Sequence, residues 1–145
     1  MKLYDISREL FSTPVYPGDP SPSWEQLRRI QLGDTYNLTG FYTGCHSATH
    51  ADAPLHFVAD GASIDQVPLE AFFGPCRVVT ASGILTGADI DALSPSKGER
   101  LLFRGGASLS QSAAFALGEA GVALVGTDQQ SIGSTGDEQA PHVEL

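Results

Sequence analysis

The sequence predicts a strand-rich mixed α/β (α+β) domain, and three observations carry this prediction. Short apolar runs bounded by glycine, proline, aspartate or serine recur along the chain, which is typical of strands. One longer segment has the apolar periodicity and the glycine stop of a helix. The length of 145 residues is typical of one domain. We therefore predict a single domain over residues 1–145.

Six strand signals follow one another along the chain. Gly33-Asp34 separates the second signal from the third, as in an antiparallel hairpin. Asp128 is expected to set a turn through hydrogen bonds from its side chain to the backbone. The predicted strands are Lys2–Ile6, Trp24–Leu32, Tyr36–Thr43, Cys76–Ala81, Arg100–Phe103 and Ala123–Gly126.

The strongest helix signal covers Ser110–Ala120. Gly121 supplies its stop, and an apolar stripe runs along it at Ala113, Ala114, Leu117 and Ala120. This helix lies between two strand signals, so it predicts a strand-helix-strand unit, with a right-handed crossover if the strands are parallel. We expect antiparallel hairpins in the remainder. A short helix is predicted at Gly87–Leu93 and a single turn at Leu69–Phe73.

Three of the four histidines fall within eleven residues, at His46, His50 and His56, with Asp52 between the second and the third. Neutral imidazole and carboxylate are ligands that a divalent ion such as zinc accepts. Catalytic zinc sites typically take three protein ligands and leave a further position for water. The cluster therefore predicts a metal site whose ligands include His46, His50 and Asp52.

The spacing of this cluster fits two local conformations. His46 and His50 would share one face of a helix, whereas even spacing also places all four side chains on one face of an extended segment. Thr49 is β-branched and Pro54 restricts the residue before it, which disfavours a helix. We expect an extended or looped segment, at least after Asp52.

The cluster has the form His-x-x-x-His-x-Asp-x-x-x-His, and other motifs surround it in a fixed order. They include Leu3-Tyr-Asp-Ile-Ser7, Pro14-Val-Tyr-Pro-Gly-Asp19, Val67-Pro-Leu69, Gly74-Pro-Cys-Arg-Val78 and Gly121-Val-Ala-Leu-Val-Gly-Thr-Asp128. In this combination the sequence resembles the cyclase family of metal-dependent hydrolases, and within it the bacterial kynurenine formamidase (arylformamidase) branch. The resemblance covers nearly the whole chain and implies a swivelling β/β/α domain.

The resemblance implies a role for each residue of the signature. In the formamidase branch the first two histidines and the aspartate bind one zinc ion, and the aspartate also reaches a second; these positions match His46, His50 and Asp52. The third histidine, which matches His56, acts as proton donor and acceptor. Its rival role is that of a further metal ligand.

Two further site residues come from the resemblance alone. A later histidine of the family binds the second metal and matches His142. An aromatic residue before the Pro-Gly-Asp turn lines the substrate pocket, and this chain has Tyr16 where the formamidases usually have tryptophan.

The activity implied is hydrolysis of a small aryl formamide of the N-formylkynurenine type, a step of tryptophan catabolism, by metal-activated water with a histidine proton shuttle. The implied cofactor is one or two Zn²⁺ per chain, with Mn²⁺ as the alternative. The implied partners are a small-molecule substrate and further copies of the chain in a homodimer or larger homo-oligomer. Two other functions stay open: a truncated, inactive relative that still binds metal, and a hydrolase of cyclic amides of the isatin type.

The sequence departs from the family pattern in three places. Ala48 stands where the family usually has glycine, a change that is tolerable unless the backbone needs a positive φ there. The stretch between Arg104 and Ser112 is shorter than in the formamidases. The family continues to a metal-bridging glutamate about a dozen residues after the late histidine, a position that Glu144 cannot fill. We therefore expect a C-terminally truncated form or a fragment.

Composition excludes other classes of function. The net charge is −9 and only eight lysines and arginines are present, which disfavours binding to nucleic acid or to anionic membranes. No apolar run approaches the ~20 residues of a membrane helix, and the first residues lack the apolar segment of a secretory signal. Cys45 and Cys76 are expected to stay reduced. These observations predict a cytoplasmic protein.

Overall fold

The structure is a computed structural model that describes residues 3–145 and divides into two units. Unit 1 extends to Ala51, and unit 2 covers Asp52–Leu145. Helices occur together with parallel and antiparallel strands, which confirms the predicted mixed α/β class. That the chain forms one domain stays a prediction.

Unit 1 contains an antiparallel hairpin of β1 (Ser23–Arg28) and β2 (Leu38–Tyr42), as predicted around Gly33-Asp34. Both strands are shorter than predicted, because the connection forms its own turn. Asp34 Oδ2 accepts the N–H of Arg29 at 2.6 Å, and a 3₁₀ turn follows at Ile30–Leu32. Local bonds of this kind compete with strand pairing.

The predicted first strand is wrong for its described residues. Leu3 to Ile6 form no strand, and Lys2 lies outside the described residues. Asp5 Oδ1 accepts the N–H of Ser7 at 2.9 Å. This side chain gives the backbone a local partner in place of a neighbouring strand.

The hairpin of unit 1 keeps its large apolar side chains at the surface. Trp24 is 60% exposed, and Phe41, its partner across the strands, is 65% exposed. Among the described residues of unit 1, Ser47 is the only buried one. An isolated two-stranded hairpin is marginally stable in water, so this face gains free energy from any contact that covers it.

The segment that carries the first two signature histidines is a loop. Residues 43–51 form neither helix nor strand. The extended or looped conformation predicted after Asp52 holds as far as Ala53, and a 3₁₀ turn begins at Pro54. The buried Ser47 and the bond from the Arg8 N–H to Thr49 Oγ1, at 2.9 Å, anchor it. Ala48 has a φ of 53°. The glycine of the family is therefore replaced where the backbone is left-handed, a conformation that disfavours a Cβ.

Unit 2 is built on parallel strands. A three-stranded sheet has the order β3 (Arg77–Thr80), β5 (Arg100–Arg104), β7 (Leu124–Thr127), and all its neighbours are parallel. The parallel pairing of β5 with β7 around a helix agrees with the predicted strand-helix-strand unit. The expectation of antiparallel pairing elsewhere is wrong for β3, which pairs parallel with β5 because α1 crosses between them.

A second parallel pair joins β4 (Gly83–Leu85) to β6 (Ala107–Leu109). These two strands were not predicted from the sequence. Each has three residues, which is too short for the alternation of apolar and polar residues to be visible. Their pairing shows only in the fold, where they form a separate two-stranded sheet and β6 contacts α2.

The helices are α1 (Gly87–Leu93), α2 (Gln111–Glu119) and α3 (Gln139–Glu144). The first two confirm the predicted helices, and the predicted turn after Pro68 is a 3₁₀ turn at Leu69–Ala71. Helix α2 begins where Ser110 Oγ accepts the N–H of Ala113.

The hydrophobic core of unit 2 lies between these strands and helices. Alternate residues of β5 and β6 point into it, and the apolar stripe of α2 covers them. Burying one leucine, isoleucine or phenylalanine side chain stabilises a fold by roughly 1.5–3 kcal/mol. The core residues are Ile90, Leu101, Phe103, Ala107, Leu109, Ala113 and Leu117.

Helix α3 was not predicted from the sequence. Gln111 Nε2 donates to Glu144 Oε1 at 2.8 Å, and a Cβ on Gly118 would lie 3.1 Å from the Glu144 carbonyl oxygen. Pro141 is buried in the first turn, where a helix tolerates proline. Packing on α2 therefore fixes α3, and with it His142.

A carboxylate closes the turn between β5 and β6. Asp128 accepts the N–H of Gly105 at 2.8 Å and the N–H of Gly106 at 3.1 Å, which confirms its predicted role in a turn. These bonds, with one from Gln129, lower the pKa of Asp128 from 3.8 to about 2. The turn needs glycine, because a Cβ on Gly105 would lie 2.7 Å from the Ala81 carbonyl oxygen.

In the part of the chain that the structure describes, no helix has the length and apolar character needed to cross a membrane.

Replacing Ala48 by glycine is expected to stabilise the chain. Ala48 holds a left-handed φ of 53°, and relieving the Cβ clash there raises the free energy of unfolding by about 1 kcal/mol. Urea denaturation measures this. The matched control is Ala53→Gly, at an extended φ of −92°. No Cβ strain is relieved there, so glycine only increases the conformational entropy of the unfolded chain and should lower the free energy of unfolding. Equal destabilisation by both changes would contradict the assigned strain.

Asp128→Ala is expected to lower the free energy of unfolding by about 1 kcal/mol near pH 7, because two backbone N–H groups lose a charged acceptor that is exposed to solvent. The folded pKa of Asp128 lies below its unfolded value, so its contribution is complete above pH ~4 and is lost as the pH falls through about 2. Urea unfolding at several pH values should therefore show the difference from wild type shrinking between pH ~4 and ~2.

The control for this measurement is Asp91→Ala, which removes an exposed carboxylate from α1. It should change the stability little at any pH. A stability loss in Asp128→Ala that persists unchanged at pH 2 would show that the carboxylate charge does not stabilise the turn.

Candidate metal centre

Three side chains of the signature segment come together. His46, His50 and Asp52 each offer one ligand atom, and these atoms lie within 4.8 Å of one another. The three residues fall within one stretch of seven, so their closeness belongs to the local backbone of this loop. Ligands around tetrahedral zinc lie ~3.3 Å apart. Small side-chain movements are therefore enough to close the cluster around an ion.

A backbone carbonyl orients one of these histidines. His50 Nδ1 lies 3.0 Å from the Ala48 carbonyl oxygen. A carbonyl oxygen only accepts, so Nδ1 carries the proton and donates it. The lone pair of neutral His50 is then on Nε2, the atom through which this ring can bind a cation. Metal-ligating histidines commonly make such a bond with their second nitrogen, so His50 fits a metal.

His142 has the same arrangement within unit 2. Its Nδ1 donates to the Glu138 carbonyl oxygen, one turn earlier, at 2.6 Å. Its Nε2 faces Asp52 Oδ2 at 3.7 Å, with the two side chains 10% and 32% exposed. This distance is too long for a hydrogen bond. A neutral ring would point its lone pair at a carboxylate, which is unfavourable unless a proton or a metal ion lies between them.

His56 lies in a small group of aromatic rings in unit 2. Its ring contacts that of Phe57 edge to face, with centroids 4.4 Å apart, and Phe57 stacks on His142 at 4.3 Å with an interplanar angle of 28°. The centroids of His56 and His142 are 6.1 Å apart. The candidate proton shuttle and the late histidine are therefore neighbours, with Phe57 against both.

A tight turn holds the backbone that carries His56 and Phe57. A 3₁₀ turn covers Pro54–His56, and the Val58 N–H donates to the Pro54 carbonyl oxygen at 2.9 Å. A Cβ on Gly61 would lie 2.6 Å from the Pro54 carbonyl carbon. Only glycine permits this approach, so the Asp60-Gly61 turn packs directly against the backbone that carries His56.

Tyr16, the remaining predicted site residue, belongs to a turn of unit 1. Its carbonyl oxygen accepts the N–H of Asp19 at 3.0 Å, and its side chain is half-buried. The Pro-Gly-Asp motif thus forms the turn that the sequence indicates. A role for Tyr16 in binding substrate stays a prediction.

Phe57 was not among the site residues predicted from the sequence. It follows His56 directly, and an aromatic residue beside a signature histidine was the available signal. Glu138 could not be predicted from its residue type. Its backbone carbonyl oxygen accepts the hydrogen bond from His142, and every residue type has such an oxygen.

Comparison with known proteins identifies the family. A family model described as "Putative cyclase" matches residues 4–134. A protein named kynurenine formamidase from Salinibacter ruber is 35% identical over 150 residues, which cover 91% of this chain and 71% of that protein. A protein of the same name from Delftia acidovorans is 46% identical over 83 residues, or 57% of this chain and 40% of that protein.

Solved structures share the fold. A structure described as a potential metal-dependent hydrolase with cyclase activity has a TM-score of 0.72 at 24% identity, over 97% of this chain and 74% of that one. A predicted metal-dependent hydrolase from Bacillus stearothermophilus has a TM-score of 0.76 at 24% identity, over 97% and 75%. Because the family model matches residues 4–134 and the relative from Salinibacter ruber is 35% identical over 91% of the chain, the chain belongs to the cyclase family.

Proposed function

We propose that this chain is a metal-dependent hydrolase that cleaves the formamide of a small aromatic substrate of the N-formylkynurenine type. The observation that carries the proposal is the cluster of His46, His50 and Asp52, whose ligand atoms lie within 4.8 Å of one another. Two relatives named kynurenine formamidase, at 35% and 46% identity, support this choice of substrate.

In this proposal His46, His50 and Asp52 hold one divalent ion, and His142 with Asp52 holds a second. Imidazole and carboxylate ligands suit Zn²⁺, and Mn²⁺ is the alternative. When bound, zinc lowers the pKa of water to about 7 and polarises a carbonyl oxygen. The backbone bonds at His50 and His142 favour the binding tautomer of each ring before any ion arrives.

His56 is the acid-base residue of the proposal. Its imidazole accepts a proton from the attacking water and returns it to the nitrogen of the leaving arylamine. Histidine suits both steps, since its ordinary pKa lies near neutrality. The 3₁₀ turn at Pro54–His56 and the ring of Phe57 restrict where this imidazole can lie. Tyr16 is proposed to contact the aromatic ring of the substrate.

We also propose that the protein self-associates and acts in the cytoplasm, within tryptophan catabolism. The exposed aromatic pair Trp24 and Phe41 supports self-association, because an uncovered hairpin is marginal in water. The free thiols of Cys45 and Cys76 support a reducing compartment.

Hydrolysis and metal content of variants test the proposal. The zinc-loaded chain is expected to hydrolyse N-formylkynurenine, followed by absorbance. His50→Ala should lose metal and activity together, since it removes a ligand. His56→Ala should keep most of its zinc, measured by plasma emission after gel filtration, and lose ~10²- to 10⁴-fold in kcat, since it removes proton transfer.

The control is Asp91→Asn, an exposed carboxylate of α1 outside the candidate site, which should retain both metal and activity. Equal metal loss in His50→Ala and His56→Ala would identify His56 as a ligand. Bound zinc with no turnover of aryl formamides or cyclic amides would refute the hydrolase and favour a metal-binding relative without activity.

Light scattering tests self-association. At micromolar concentration the wild-type chain should have at least the mass of two chains, and the double variant Trp24→Ser with Phe41→Ser should shift toward the mass of one. The matched control is Phe115→Ser, which removes a 55% exposed phenylalanine from α2 and should leave the mass unchanged. A wild-type chain with the mass of one copy would contradict this part of the proposal.

A further inference from the structure

Phe57 contacts the two histidines to which the proposed function assigns different tasks. Its ring stacks on His142 at 4.3 Å and meets His56 edge to face at 4.4 Å. Phe57 is half-buried and carries no group that reacts with substrate or metal. Its effect on the chemistry is therefore exerted through the orientation of its neighbours.

The hydrogen bond of His142 does not by itself fix the plane of its ring, and the stacked ring of Phe57 restricts that plane. The bond from Nδ1 to the Glu138 carbonyl oxygen fixes one atom of the ring, but rotation about that bond still moves Nε2. A stacked neighbour restricts the plane of the ring as well, and offset or edge contacts between aromatic rings contribute ~0.5–1.5 kcal/mol beyond burial. The bond and the stack together hold Nε2 toward Asp52 Oδ2, 3.7 Å away.

Phe57 is itself held by the backbone. Its N–H donates to the Pro54 carbonyl oxygen at 3.3 Å, at the end of the 3₁₀ turn, and Gly61 packs against the same turn. The backbone that carries its ring is therefore held by a turn whose hydrogen bonds do not involve the side chain of either histidine. A side chain placed in this way can orient both imidazoles before an ion or a substrate binds.

We propose that Phe57 is a positioning residue that holds the plane of the His142 ring for metal binding and the ring of His56 for proton transfer. This inference rests on the proposed function for the two tasks, and on the ring geometry alone for the positioning. It predicts a spectroscopic signature in the metal-free chain. The ring protons of His142 lie over the face of Phe57, so ring current shifts their NMR signals upfield.

The experiment compares Phe57→Leu with Phe57→Tyr. Phe57→Leu should move the His142 signals toward those of an unstacked histidine in the metal-free chain. It should weaken zinc binding about tenfold, measured by competition with a chelator, and lower kcat with KM little changed. Phe57→Tyr keeps the ring and should restore all three readouts. His142→Gln assigns the signals.

Phe115→Leu is the matched control, because it makes the same change at an exposed phenylalanine of α2, and it should leave every readout unchanged. If Phe57→Leu does not fold, Phe57→Met supplies a flexible side chain of similar volume without a ring. Unchanged His142 signals with unchanged zinc affinity in the folded ringless variant would overturn the inference. A wild-type chain that hydrolyses no aryl formamide would refute the proposed function, while the NMR and zinc measurements would still decide on Phe57.

Discussion

The burial of α2 against β5 and β6 is the constraint on which unit 2 depends. Leu101 and Phe103 point inward from β5, and Ala113 and Leu117 cover them from α2. The same helix carries α3 on another side, where Gln111 reaches Glu144 and Gly118 leaves room for its carbonyl. Because α3 carries His142, apolar packing in the core sets the position of a polar side chain of the candidate site. A cavity in this core would therefore disturb both the stability of the unit and the place of His142.

Backbone carbonyl oxygens orient two histidine side chains of the candidate site. His50 and His142 each donate a hydrogen bond from Nδ1 to a carbonyl oxygen of their own segment, which places the lone pair of the neutral ring on Nε2. Asp52 faces Nε2 of His142 at a distance too long for a hydrogen bond. An ion between them would compensate for the repulsion between a lone pair and a carboxylate. Metal binding in this arrangement costs little reorganisation, which is the advantage of orienting ligands in advance.

The sequence predicted what depends on local pattern, and it missed what depends on tertiary contact. Three predicted features each lie within one short segment of the sequence. They are the apolar stripe and glycine stop of α2, the hairpin turn at Gly33-Asp34 and the cluster from His46 to His56. The strands β4 and β6 are too short to show a period, and α3 has only six residues and is held by contacts with α2. The predicted strand at the N-terminus failed because Asp5 bonds to the Ser7 backbone. The contact of Phe57 with His142 joins residues far apart in the chain, which no single segment reveals.

We propose that His46, His50 and Asp52 bind one divalent ion. The decisive experiment is diffraction from crystals of the zinc-loaded chain, measured on both sides of the zinc absorption edge. If these three side chains are the ligands, an anomalous peak will lie ~2.0–2.2 Å from one nitrogen of each histidine and from one oxygen of Asp52. An anomalous peak elsewhere, with no zinc among these three side chains, would contradict it.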